Sequence, residues 1–148
     1  MLSEVRNLRD IAERCQSGRP LGEDLSRWLA TLLQDFLDHR HRSLDDALGL
    51  RAARGGVPWW LEEGLRQRNA ALRALAGQFY PNDHVLQQAK LIRSLAARYA
   101  ASAWLWDRAR QAMPDHYRGT PEESLWRAFK SGAPMPIGER QLRTILGR

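Results

Sequence analysis

A chain of 148 residues with 43% hydrophobic and 27% charged side chains is composed like an average folded domain, which argues against intrinsic disorder. Its longest apolar runs are four or five residues, too short to cross a bilayer, and the Met1-to-Arg6 start lacks the basic and apolar regions of a signal peptide. Cys15 is the only cysteine, so no internal disulfide forms, and the expected setting is cytoplasmic. The net charge of +6 is uneven: residues 1–50 sum to −2, whereas residues 51–148 sum to +8. A positive field of that size points to a polyanionic partner. The bias to arginine, with lysine only at positions 90 and 130, is equally what a GC-rich coding sequence produces.

Apolar residues recur at helical spacing throughout, and no segment alternates for long, so the expected fold class is all-α. The first helix starts after Ser3 and carries Val5, Leu8, Ile11, Ala12 and Cys15 on one face, with Cys15 read as a small buried hydrophobe. Gly18-Arg19-Pro20 ends it. From Leu21 to His39 a wide stripe of Leu25, Trp28, Leu29, Leu32, Leu33, Phe36 and Leu37 predicts a helix lying against the core. Ser43 caps a short helix through Leu48, and the glycine- and proline-containing stretch Arg51–Pro58 is the best loop and the seam between an acidic and a basic part.

A helix from Pro58 to Phe79 comes next, with Leu61, Leu65, Arg68, Leu72, Leu75, Ala76 and Phe79 on one side. Pro81-Asn82-Asp83 breaks it and caps its successor, whose stripe runs Val85, Ala89, Ile92, Ala96, Tyr99, Ala103, Trp106. Continuous from 83 to 112, that helix measures about 45 Å at 1.5 Å per residue. It must therefore span the domain, break near Ser102, or project. Thr120-Pro121-Glu122-Glu123 reads as a capping box that opens a helix through Phe129. A final helix from Gly138 to Leu146 turns Leu142, Ile145 and Leu146 inward. The expectation is one irregular all-α domain of six or seven helices with one long central helix.

Catalytic signatures are missing: there is no glycine-rich phosphate loop, nucleophile motif or paired-carboxylate pattern. His39 and His41 stand two apart without a third ligand, and His84 and His116 read as surface residues, so neither metal nor cofactor is expected. Trp28, Trp106 and Trp126 fall on core stripes. Trp59 and Trp60 lie off the stripe of their helix, and two readings stay open: packing against a second cluster, or a contact surface for a protein partner beside Arg51 and Arg54. Opposite the apolar stripe of the long helix lie Lys90, Arg98 and Arg108, with Arg93 on the flank. The last helix turns Arg140 and Arg143 outward, with Gln141 at the edge. The final helix pair has the outline of a helix-turn-helix, although Ser131–Ile137 exceeds the usual turn; a plain hairpin closing the core fits the same pattern.

The succession Ser43-Leu44-Asp45-Asp46-Ala47-Leu48-Gly49-Leu50, Gln78-Phe79-Tyr80-Pro81, Arg98-Tyr99 to Trp104, and Gly119-Thr120-Pro121 to Leu125-Trp126 resembles a group of short, arginine-rich proteobacterial proteins. Those motifs are helix caps and core aromatics, and the resemblance implies no activity. The residues themselves lead to a non-enzymatic nucleic-acid-binding protein acting through 51–148. The alternative is a helical adaptor or inhibitor of a protein partner.

Overall fold

The computed structural model describes residues 2–147, without the side chain of Leu2. The fold is all-α. Among the described residues eight helices stand where periodicity calls for six or seven: α1 (Leu2–Gln16), α2 (Glu23–Leu37), α3 (Leu44–Ala47), α4 (Trp59–Phe79), α5 (Val85–Ala101), α6 (Trp104–Asp107), α7 (Pro121–Lys130) and α8 (Glu139–Leu146), with a 3-10 turn at Asp115–Tyr117. Among the described residues no helix is long and apolar enough to cross a membrane. The chain divides into two compact units between Trp59 and Trp60, just beyond the 51–58 loop. Residues 1–59 carry nine basic and nine acidic side chains, so Arg51 and Arg54 cancel the acidity of the first fifty positions.

The first unit has a small core of Val5, Ile11, Ala47 and Leu50. Ser43 caps α3 as expected, its hydroxyl accepting from the Asp46 N–H at 3.4 Å. Two expectations are corrected here. No residue of α2 is buried, and Leu33 and Leu37 on its stripe are exposed. Cys15 is also exposed, because among the described side chains of α1 only Val5 and Ile11 are buried.

The second unit holds one apolar core built from α4, α5, α7 and α8. Leu72, Leu75, Ile92, Leu125 and Leu142 are its fully buried large side chains, and α5 seats directly on α8. Gly64 allows the closest approach, since a Cβ there would stand 2.6 Å from the Ser131 carbonyl oxygen. Arg68 is buried as its place on the apolar stripe requires. It donates to Asn69 Oδ1 and to the Pro134 carbonyl, while burial works against its charge and lowers its pKa. Arg73 ties α4 to α8 by donating to the Ile145 carbonyl at 2.9 Å.

Of the three outcomes open to the 83–112 helix, the break near Ser102 is the one observed: α5 ends at Ala101, and α4 is the longer helix. Ser102 marks the break, its hydroxyl donating to the Arg98 carbonyl at 2.7 Å as serine does when it competes with helix continuation. The break rotates the next turn of chain. Trp104 enters the core in place of Trp106, with its ring 5.2 Å from Phe129 and 6.2 Å from Trp126. Trp106 is instead 78% exposed.

Two caps differ as well. His84, rather than Asn82 or Asp83, is the N-cap of α5 and makes no side-chain cap bond. Thr120 occupies the N-cap of α7, but its hydroxyl donates to the Tyr117 carbonyl at 2.6 Å. Glu123 reaches back one residue further than the box requires and accepts from the Gly119 N–H at 2.8 Å.

Candidate nucleic-acid interface

Arginine in this protein has several uses, and the structure separates them. In the first unit Arg14, Arg19, Arg27 and Arg40 each meet an acid: Asp10, Glu13, Glu23 and Asp35 respectively. In the second unit Arg66 forks onto buried Glu63, Arg110 meets Asp107 at 3.4 Å, Arg118 meets Asp115, and Arg127 meets Glu123. Arg68 and Arg73 serve backbone carbonyls inside the unit.

The residues singled out from sequence fall in the remaining class. Lys90, Arg93 and Arg98 lie on α5, Arg108 just after α6, and Arg140, Gln141 and Arg143 on α8, all exposed. Among the described residues none of their six cationic side chains forms an ion pair. Their burial pattern explains this: α5 turns Ala89, Ile92, Ala96 and Tyr99 inward and α8 turns Leu142 and Ile145 inward, which leaves the long basic side chains in water.

Two clefts take in three of these residues. Arg140 and Arg143 share a cleft of about 440 Å³ with Thr144 of α8 and Val85 and Leu86 of α5, and no acid lines it. Arg98 borders a different cleft of about 190 Å³ and shares it with Glu122. The α8 helix is separated from α7 by residues 131–138 and rests on α5. Its outward arginines are therefore set by α5, whose first two residues floor their cleft.

Lys130 is a cation that sequence reading passed over. Its Nζ donates to the Arg108 carbonyl at 3.1 Å and stands 4.9 Å from the centre of the Trp126 ring. A cavity of about 540 Å³ lies between α4 and α7 with Ala70, Ala71, Ala74 and Trp126 as apolar wall and Arg127 and Lys130 among its polar groups. Trp59 is half-buried and Trp60 is 57% exposed, so the packing reading fails for Trp60. Among the described residues no group of three histidines, cysteines or carboxylates is placed to hold a metal.

One buried polar cluster is structural in its geometry. Asp107, at the end of α6, accepts from the Tyr99 hydroxyl at 2.9 Å and the Tyr117 hydroxyl at 2.7 Å. Burial, helped by the hydrogen bond to Asp107, pushes the Tyr117 phenol up to about 12 and raises that of Tyr99 as well. The cluster fixes α6 to α5 and to the 3-10 turn. No family model, curated protein or solved structure matches the chain.

Proposed function

We propose that this is a non-enzymatic protein that binds nucleic acid through the basic surface of its second unit. The observation that carries the reading is the division of labour among cations. Where an arginine serves the fold it is matched by an acid or a carbonyl, while Lys90, Arg93, Arg98, Arg108, Arg140 and Arg143 are exposed and without an ion pair. Spaced, solvated cations of this kind are what phosphate contacts require. The acid-free cleft of Arg140 and Arg143 is the strongest single element, with two guanidinium forks to offer phosphate oxygens. Gln141, exposed beside them, is suited to a base edge.

The test is salt-dependent binding to duplex DNA, single-stranded DNA and RNA. Affinity should fall as salt rises, with a log-log slope of roughly −0.9 per phosphate neutralised on a duplex. Arg140→Ala with Arg143→Ala should weaken binding and shallow that slope while leaving the thermal melt in place, because both side chains stand in solvent. No binding to any of the three polymers at low salt would overturn the reading. A protein partner is then the alternative, favoured by exposed Trp60 and by the stripe of α2, where Trp28 and Leu32 line an open groove with Asp24, Arg27 and Thr31.

A further inference from the structure

The break at Ser102 turns the most exposed large hydrophobic side chain of the described residues outward on a turn that is itself tightly held. In α6 the residues on either side of Leu105 and Trp106 are both fastened. Trp104 packs against Tyr99, Trp126 and Phe129, and Asp107 accepts two phenolic hydrogen bonds. Leu105 and Trp106 can only face outward, and they are 51% and 78% exposed. An indole on so rigid a support loses little conformational freedom when a flat partner lies on it.

The charge beside this indole has one sign. Arg108 stands within the same turn, free of ion pairs, and its carbonyl holds the Lys130 ammonium at 3.1 Å. Arg110 keeps a largely exposed side chain in a long 3.4 Å contact with Asp107, the one acid of the group, which is buried. Three cations thus collect at the C-terminal end of α6 without an exposed carboxylate in that segment. An aromatic face with adjoining cations is complementary to a base with its phosphates, and the same charge repels a basic protein surface.

We propose that Trp106 is a stacking platform for an unpaired base of a single-stranded nucleic acid, with Arg108 and Arg110 taking the adjoining phosphates. The proposal rests on the nucleic-acid reading and narrows it to strands whose bases are not already stacked in a duplex. DNA and RNA share this chemistry.

The test measures binding of labelled twelve-nucleotide thymidine and uridine strands, a duplex of the same length, and phosphatidylserine vesicles, all at low salt. Trp106→Ala should weaken single-strand binding by about five-fold or more, the lower range of base–aromatic stacking, and Trp106→Phe should retain most of it. Circular dichroism should show both variants folded, since the indole is outside the core. Single-strand binding unchanged by Trp106→Ala, while Arg140→Ala with Arg143→Ala still lowers duplex binding, would overturn the platform and leave the phosphate reading standing. No binding by any oligonucleotide would overturn both. A Trp106→Ala loss seen only with vesicles would overturn the platform in favour of a lipid surface.

Discussion

At the scale of single residues, two positions make sharp demands on their surroundings. Tyr117 keeps its proton to about pH 12 in the folded protein, because burial and its bond to Asp107 both oppose the phenolate. In the unfolded chain a tyrosine ionises near 10. Between those values the unfolded state releases a proton that the folded state keeps, so stability is full below pH 10 and is lost as pH rises towards 12. Tyr99 acts in the same direction. The melting temperature should therefore drop steeply from pH 9.5 to 11.5, and Tyr117→Phe should flatten that drop while lowering stability at pH 7 by about 1.5–3 kcal/mol, the worth of a hydrogen bond to a charged group. Gly64 is the second such position. Alanine usually stabilises a helix interior over glycine, by about 1 kcal/mol. Here the added methyl would meet the Ser131 carbonyl oxygen at 2.6 Å and the Ala133 nitrogen at 3.3 Å, both backbone atoms. The clash should win, and urea melts of Gly64→Ala should show a loss of about 1–3 kcal/mol.

Elements show where sequence is a sufficient guide. The first turn of α7 is served by Glu123, whose carboxylate accepts from the Gly119 N–H and also from Arg127 at 2.6 Å. Glu123→Ala should cost about 1 kcal/mol in a denaturant melt, as loss of an N-terminal cap does. The reach of Glu123 back over the helix start was legible in Thr120-Pro121-Glu122-Glu123, but the cap bond of Thr120 was not, because its hydroxyl chooses between the N–H groups ahead of it and the Tyr117 carbonyl behind it, and composition does not rank them. The stripes of α4, α5 and α8 were legible, Arg68 included, since each faces a core that its own apolar residues define. Trp106 was not: a period of 3.6 holds only while the helix continues, and Ser102 resets the phase. The stripe of α2 is a different case. Periodicity marks which side is apolar and says nothing of what covers it. For the candidate site, α8 offered Arg140 and Arg143 correctly as outward residues. Their pairing with Val85 and Leu86 depends on a contact over fifty residues away in sequence, which no local pattern carries.

For the molecule as a whole, the informative line is between residues 51 and 60. Arg51 and Arg54 are exposed and lie in non-helical chain, whereas the arginines of α4 sit in a continuous helix. A protease must draw an extended segment into its site, so exposed loops are cut first. Brief trypsin treatment should cleave after Arg51 or Arg54 before any bond within α4, α5, α7 or α8, and mass spectrometry of the early products should show fragments beginning at Ala52 or Gly55. Early cleavage within α5 instead would contradict the helical account of that segment. Of the two units, the second has the larger core, with sixteen buried residues in one cluster. Its amides should be the slower to exchange.

The exposure of Cys15 makes the protein convenient to label. It is the chain's one thiol and stands on the surface of α1, so a maleimide dye attaches at a single defined point in the first unit without prior mutagenesis. Amine reagents find only two lysines, and the ammonium of Lys130 is engaged by a carbonyl and two indoles, which leaves Lys90 as the open side-chain amine. The native chain thus accepts one dye at Cys15 and an amine label at Lys90, on the basic face where shielding by a bound polyanion registers as slower acylation.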